Sequence, residues 1–366
     1  MLRGLHGPAT LGGQPAEPAP VAAAPVRPAP APAGEATVAL RTVAAPAGRH
    51  RALETSGDAA LLPVVRRARR GDALPHVALR WTRHLFGGSS EDERARAAAA
   101  EGLRRPVSTG RRVAVRGVRG GAGATTVAAL LATAYALRRR DAVLAVDAVP
   151  ELGWLAWRLG IAPDDDRDLD AAVGPVVNAP VTSFEQLYVL PCTPAGLRVL
   201  PGGTGAGRVT AARAIALLAR HFAVAVLDQP PLTSPEPTPT GDAARTAPHV
   251  IALVAPASPD GVRRVLAALP EGSAGPVVVL VSQDRRGEGV RIGRALDAVR
   301  DAGGQPYHLP YDRHLAAGAG IDPGRLADRT ARVVSELGAE LLGLAVEAGH
   351  GGSGLPESFW SGRSRR

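Results

Sequence analysis

One segment in the first half of the chain constrains the fold more than any other. It joins a β-branched apolar run, RRVAVRGV from Arg111, to the glycine-rich turn RGGAGATT, residues 119–126, and then to the helical pattern VAALLATAYALRRR. A glycine turn that leads into a helix brings backbone N–H groups together where the helix dipole favours an anion. The segment therefore predicts an anion-binding turn at the edge of a sheet. Taken alone, the turn also fits a plain tight connection.

Further apolar runs follow this turn, and helical patterns separate most of them. The predicted strands are Ala142–Val146, Leu187–Leu190, Ala223–Leu227, Val250–Val254 and Val277–Val281. From Pro323 to about Glu347, apolar residues recur at helical spacing and predict a closing amphipathic helix. Strands that alternate with helices form a parallel sheet covered on both faces. The predicted fold is therefore α/β, with a doubly wound, mostly parallel sheet in a three-layer, Rossmann-like sandwich.

The residues around this main domain, predicted to span 111–347, differ in composition. Residues 1–57 are dominated by Ala and Pro and are predicted to be a disordered tail, and residues 348–366 a flexible one. Residues 58–110 carry short basic helical patterns, and an acidic helix is predicted from Ser89 or Ser90 through Ala100. This extension is either a helical adaptor packed on the main domain or a surface for anionic lipid or a partner's groove.

Arginine supplies every basic side chain, because the sequence contains no lysine among its 43 Lys and Arg residues. This bias is expected of a GC-rich bacterial genome, so the net charge of +9 points only weakly to nucleic acid. The single cysteine, Cys192, excludes an internal disulfide and fits a reducing cytoplasm. The sequence has no apolar run long enough for a signal peptide or a membrane span, so any membrane contact is expected to be peripheral.

The glycine turn resembles the deviant Walker A motif, K-G-G-x-G-K-T-T, of the MinD/ParA family of P-loop ATPases in the SIMIBI class. Arg119 stands at the first lysine of that motif and Ala124 at the second. The nucleotide-binding residues that the resemblance implies are Arg119, Gly120, Gly121, Ala122, Gly123, Ala124, Thr125 and Thr126. The segments LRVLPGG, APHVIALVAPASPDGVRRVLAAL and GQPYHLPYDRHLAAGAG are similar to later parts of the family pattern, so the resemblance covers about residues 111–346.

Two acidic residues at strand ends extend the resemblance. VLAVDAVPELGWLAWRLG is similar to the family's second strand and D-x-D segment, with Asp147 at the first acidic position and Val149 at the second. HFAVAVLDQPP resembles the Walker B strand and places Asp228 where a carboxylate orients Mg²⁺ through water. The resemblance implies ATP and Mg²⁺ as cofactors, a metal site at Thr125, Asp228 and Asp147, and Asp147 as the catalytic candidate. Loop capping by the carboxylates and helix initiation by Thr125 are the alternatives.

The departures from the family pattern bear on activity. The family's second lysine contacts the β- and γ-phosphates, and its first reaches the nucleotide of a dimer partner. Ala124 removes the former contact, and Arg119 is a candidate for the latter because guanidinium binds phosphate oxygens. Val149 cannot position an attacking water, and VSQ at Val281–Gln283 replaces the asparagine-containing segment that holds adenine in relatives.

Two functional hypotheses follow from these departures. The first is a regulatory or scaffolding pseudo-ATPase that acts through protein partners in positioning, partitioning or secretion-associated processes. The second is a slow ATPase that cycles between a monomer and an ATP-sandwiched homodimer on membrane or DNA. Nucleic acid is the less favoured partner. The expected location is the cytoplasm, with peripheral contact at the inner face of the plasma membrane.

Overall fold

The computed structural model describes residues 90–149, 154–161, 187, 190–200, 218–233, 247–269, 275–285 and 289–351. The predictions for residues 1–57, for the basic patterns of residues 58–89 and for the end of the C-terminal tail lie outside these ranges. Among the described residues, none of the helices is both long and apolar enough to cross a membrane.

Within the described ranges, seven strands form a single parallel sheet. They are β1 (Arg111–Gly117), β2 (Val143–Asp147), β3 (Arg198–Leu200), β4 (Val224–Gln229), β5 (Val250–Pro256), β6 (Val277–Val281) and β7 (Gln305–Leu309). Their order is β3-β2-β4-β1-β5-β6-β7, and every neighbouring pair is parallel. The sheet confirms the predicted α/β fold and places β1, which leads into the glycine turn, between β4 and β5.

Helices cover both faces of this sheet. They are α1 (Ser90–Leu103), α2 (Ala124–Arg138), α3 (Leu155–Arg158), α4 (Pro259–Ala268), α5 (Ile292–Asp301) and α6 (Asp328–Gly351). Side chains of a strand alternate between faces, so Val113 and Val115 join the core beneath α2 and α6, whereas Ala114 joins the core beneath α4 and α5. Both faces of the central strands are therefore buried, which is why these strands read as continuous apolar runs.

The helix predicted before the main domain packs directly on the closing helix. It begins at Ser90, with Glu91, Asp92 and Glu93 in its first turn, and extends three residues past Ala100. Leu103 is fully buried, and Arg332 of α6 donates a 3.0 Å hydrogen bond to Asp92. A Cβ added to Gly102 would lie 2.6 Å from Ala339 Cβ, which shows how closely the two helices approach. The described part of the extension is therefore packed on the sheet domain.

Two predicted elements differ from the structure. Leu187 lies in a short helical turn and Leu190 in a bend, so the predicted strand Leu187–Leu190 was wrong, and the edge strand beside β2 is β3. Both leucines are buried in the core beneath α4 and α5 and are apolar for that reason. The closing helix begins at Asp328, because Pro323–Arg325 forms a separate 3₁₀ turn capped by Asp322, and it continues to Gly351.

Candidate functional site

The glycine turn connects the carboxyl end of β1 to the first turn of α2. Gly121 and Gly123 have φ values of 71° and 95°, a conformation that side chains with a Cβ rarely adopt. Gly123 is the N-cap of α2 and offers no side chain to its first N–H groups. Those donors are therefore available to a ligand at the positive end of the helix dipole.

A cavity of about 460 Å³ opens above this turn. Its walls come from the turn, from the ends of β1 and β4, from α3 and from the segment after β7. The lining residues are Gly117, Arg119, Gly120, Gly121, Ala122, Gly123, Ala124, Thr125, Thr126, Val149, Trp154, Trp157, Arg158, Asp228, Gln229, Pro231, Leu315 and Gly318. All eight residues predicted to bind nucleotide thus line one cavity. It lies at the carboxyl ends of the strands, where open α/β sheets bind ligands.

Asp147 and Asp228 are register partners at the ends of β2 and β4. The Asp147 oxygens accept 3.1 Å hydrogen bonds from the backbone N–H groups of Val149 and Leu155, and Asp147 does not line the cavity. Burial raises the pKa of Asp147 to about 6, although these two hydrogen bonds oppose the shift. In this geometry Asp147 holds the start of α3 in place.

Asp228 has a different environment. It is 1% exposed, lines the cavity, and neither carboxyl oxygen has a hydrogen bond of ordinary geometry within the described part of the chain. Burial and the nearby Asp147 raise its pKa to about 8, whereas the adjacent Thr125 hydroxyl lowers it. A buried carboxyl without a partner is costly, so a ligand at this position would satisfy it.

Asp228 and Thr125 fit a magnesium ion that is shared with phosphate oxygens. Magnesium commonly binds one or two carboxylates together with substrate phosphates and water rather than a cage of protein ligands. The described residues contain no cluster of three or more His, Cys, Asp or Glu side chains suited to a metal. The two oxygens of Asp147 are already engaged by backbone N–H groups, so its place in the predicted metal site is the less suitable one.

Arg119 lies at the rim of the cavity. Its Nη1 donates to the backbone oxygen of Gly120 at 3.0 Å, and its Nε is 3.9 Å from a carboxyl oxygen of Asp260 at the start of α4. The side chain is 38% exposed. The Arg119 side chain therefore contacts neighbouring residues of its own chain, and its charged group is still exposed to solvent.

Two polar residues outside the predicted site contact the turn, and the segment of the first was noted from the sequence only as a departure from the family pattern. Gln283, just after β6, donates a 2.6 Å hydrogen bond from Nε2 to the backbone oxygen of Gly121. Arg158, in α3, is buried, lines the cavity and donates from Nη2 to the Thr126 hydroxyl at 3.1 Å. The sequence offers one signal for Arg158, a lone arginine within the apolar pattern WLAWRLG, and that signal does not reveal which surface it faces.

A known protein family matches the segment that carries the glycine turn. Residues 111–159 match the family described as cellulose biosynthesis protein BcsQ, which is of the ParA/MinD type. The match spans β1, the glycine turn, α2, β2 and α3. No curated protein sequence is significantly similar to the chain.

Several solved structures are similar to most of the chain at low sequence identity. A ParA family ATPase from Chlorobium tepidum TLS is 16% identical over 66% of this chain and 99% of its own, with a TM-score of 0.44. An ATP complex of a variant of McdA from Cyanothece is 18% identical over 65% and 98%, with a TM-score of 0.46. The cell division ATPase MinD from Pyrococcus furiosus is 22% identical over 64% and 98%, with a TM-score of 0.45. The family match and the chain's own parallel sheet together give it a MinD/ParA-like P-loop nucleotide-binding fold.

Proposed function

We propose that this protein is a regulatory or scaffolding pseudo-ATPase that binds ATP or ADP with Mg²⁺ weakly, hydrolyses ATP poorly and acts through protein partners. One observation carries the proposal. The glycine turn and the carboxyl group of Asp228 line the cavity, as the family pattern leads one to expect. Ala124 and Val149 also line it, but they stand where that pattern has its second lysine and its second acidic residue.

The residues that remain are suited to hold phosphate. The N–H groups at the start of α2 would bind phosphate oxygens, and Thr125 and Asp228 would hold Mg²⁺, which neutralises phosphate charge when bound. Without the lysine, one charge-assisted hydrogen bond is lost. At roughly 1.5–3 kcal/mol, this loss weakens triphosphate binding by about one to two orders of magnitude.

Hydrolysis needs a group that orients or deprotonates water. Among the described residues that line the cavity, Asp228 is the only one with a carboxyl group, and none is His or Glu. Asp228 is also the best metal ligand of the site, and both oxygens of Asp147 accept backbone hydrogen bonds. The described lining of the cavity therefore contains no free general base, which supports binding without efficient turnover.

The partner, the location and the cellular process rest on the family resemblance. We propose that the chain is a cytoplasmic protein that acts in positioning, partitioning or secretion through a protein partner. Homodimerisation and peripheral membrane contact would be additional interactions. The basic segment of residues 58–89 is the candidate recruitment surface. Sedimentation of the full chain with neutral and anionic vesicles tests membrane contact, and equal binding to both would exclude electrostatic recruitment.

A slow ATPase that cycles through an ATP-sandwiched dimer on membrane or DNA is the second candidate. Thr125 and Asp228 are adjacent in the cavity, as metal-dependent hydrolysis requires, and this adjacency favours the alternative. Arg119, exposed at the rim, would then act on the nucleotide of the partner subunit in place of the missing lysine.

Calorimetry and turnover measurements separate the two candidates. If the protein is a pseudo-ATPase, calorimetry should show weak, Mg²⁺-dependent binding of ADP and ATP. Phosphate release by the unmodified chain should be no faster than that by Asp228→Ala. The mass of the protein in solution should not change when a nonhydrolysable ATP analogue is added. Turnover at rates typical of the family that Asp228→Ala abolishes, or dimerisation driven by the analogue, would establish the second candidate instead.

A further inference from the structure

We propose that Arg158 supplies the cation of the phosphate site that Ala124 does not. The inference rests on the proposed function, since it concerns the same cavity, and it assigns a binding role to a residue outside the glycine turn. The ligand class is a molecule with a diphosphate group, such as a nucleoside diphosphate or triphosphate.

Arg158 carries a buried charge that no anion among the described residues compensates. Arg158 is 6% exposed, and its acceptors are neutral: Nη1 donates to the Ala319 backbone oxygen at 2.8 Å, and Nη2 to the Thr126 hydroxyl at 3.1 Å and the Leu315 backbone oxygen at 3.3 Å. Its Nε is buried and has no acceptor within the described part of the chain. No ion pair joins Arg158 to a carboxylate of a described residue. A buried charge of this kind is costly unless an anion approaches it.

Arg158 also lies close to the glycine turn. Arg158 lines the same cavity as the glycine turn, and it bonds to the first turn of α2 through Thr126. The guanidinium and the free N–H groups at the start of α2 therefore lie on walls of one cavity. An anion placed there gains the helix dipole and a full positive charge together.

Backbone contacts on both sides hold Arg158 rigidly. Asp147 accepts the N–H of Leu155 at the start of α3, and the backbone oxygen of Arg158 accepts the N–H of Ile321 at 2.8 Å. On the same side, a Cβ added to Gly320 would lie 3.2 Å from the Cα of Gly160, so the segment after β7 packs tightly against the end of α3. A cation fixed before the ligand arrives loses little entropy on binding.

Arg119 is less suited to this role. It is more than a third exposed and lies near Asp260, so solvent and a carboxylate both weaken its field in the cavity. Arg158 has neither disadvantage. With three N–H groups already donated, a guanidinium retains two further donors.

The test is isothermal calorimetry of the full chain with Mg²⁺-ADP and with inorganic pyrophosphate. Arg158→Gln should weaken both ligands roughly tenfold or more, and Arg158→Lys, which keeps the cation, should weaken them less. Arg139→Gln is the matched control. Arg139 is also buried and donates to the backbone oxygens of Leu103 and Arg105, but it pairs with Asp141 at 2.7 Å and does not line the cavity. Its replacement should leave both affinities unchanged.

A rescue variant separates ligand binding from a structural role. In Ala124→Lys/Arg158→Gln, a lysine returns positive charge to the turn but cannot restore the hydrogen bonds to Ala319 and Leu315. Recovery of pyrophosphate affinity in this double variant is the expected result. Two results would overturn the inference and leave the proposed function intact. One is that Arg158→Gln loses pyrophosphate affinity and the double variant does not recover it. The other is that Arg158→Gln and Arg158→Lys both bind as tightly as the unmodified chain. If the unmodified chain binds neither ligand, the proposed function fails instead.

Discussion

Asp147 and Asp228 end neighbouring parallel strands as register partners, yet only Asp228 faces the cavity. The backbone N–H groups of Val149 and Leu155 donate hydrogen bonds to the two oxygens of Asp147. The oxygens of Asp228 remain available to a ligand. Adjacent strand ends therefore serve two purposes. One carboxyl group shapes the wall that carries Arg158, and the other is the best candidate for a metal ligand.

The first prediction concerns the pH dependence of stability. Burial raises the pKa of Asp228 to about 8 in the folded chain, above its unfolded value of 3.8. Between these two pH values the folded state binds more protons than the unfolded state, so this group makes stability fall as pH rises. The slope from one such group is at most about 1.4 kcal/mol per pH unit.

Asp228→Asn should remove this contribution. In Mg²⁺-free buffer, the variant should melt at a higher temperature than the unmodified chain at pH 8, and the difference should shrink toward pH 4. Thermal melts followed by circular dichroism across this range measure the effect. A difference between the two proteins that does not change with pH would show that Asp228 has an ordinary pKa.

The second prediction concerns the missing lysine. Ala124→Lys adds a cation to the turn and should tighten Mg²⁺-ATP binding about tenfold, near the low end for a charge-assisted contact, because Arg158 already raises the positive potential of the cavity. Calorimetry measures the change, and the uncharged variant Ala124→Gln is the control. Phosphate release should stay low in both, since Val149 and the engaged oxygens of Asp147 are unaltered. A large gain in turnover would show that the lysine alone limits catalysis.

The centre of the fold was predictable from the sequence because burial on both faces leaves a simple pattern. Val113, Val115 and their neighbours in β1 read as one apolar run, and the glycines at 121 and 123 identify the turn. The apolar character of Leu187 and Leu190 was equally clear, but apolarity reports burial and not hydrogen bonding between strands. Their assignment to a strand failed for that reason.

The site was predictable where a short sequence pattern marks its residues, as in the glycine turn and at Asp228 after an apolar strand. Residues 119–126 line one cavity because they are consecutive. The contact of Arg158 with Thr126 instead depends on α3 and the segment at Leu315–Ala319 meeting near the turn, which is set by tertiary packing. Tertiary packing also sets the different environments of Asp147 and Asp228. Nothing in their local sequences specifies which of the two carboxyl groups accepts hydrogen bonds from backbone N–H groups.

The third prediction concerns His249, which precedes β5. Its Nδ1 accepts the N–H of Arg112 at 3.0 Å, and burial, together with the charges of Arg112 and Arg111, lowers its pKa to about 4. Between pH 6.5 and 4 the unfolded state therefore binds more protons than the folded state, so this group makes stability fall as pH falls.

His249→Asn keeps a side-chain acceptor near Nδ1 and removes the titration. The variant and the unmodified chain should have similar melting temperatures at pH 7.5, whereas the variant should lose less stability on acidification to pH 4. Differential scanning calorimetry at several pH values checks this. Equal losses in the two proteins would mean that His249 titrates with the same pKa in both states.

The last prediction tests whether α1 belongs to the folded domain. At Gly102, an added Cβ would lie 2.6 Å from the Cβ and 3.3 Å from the Cα of Ala339, and the backbone of α6 cannot yield as a side-chain tip can. Gly102→Ala should therefore destabilise the chain by about 1–3 kcal/mol, even though alanine favours helix more than glycine does.

Gly293, in α5, is the matched control, because an added Cβ there has nothing within 4 Å. Gly293→Ala should stabilise the chain by about 0.5 kcal/mol through helix propensity alone. Urea denaturation compares the two. If Gly102→Ala also stabilised the chain, α1 would be detached from α6 in solution, and all of residues 58–110 would then be free for recruitment. Destabilisation would instead confine the candidate recruitment surface to the residues before Ser90.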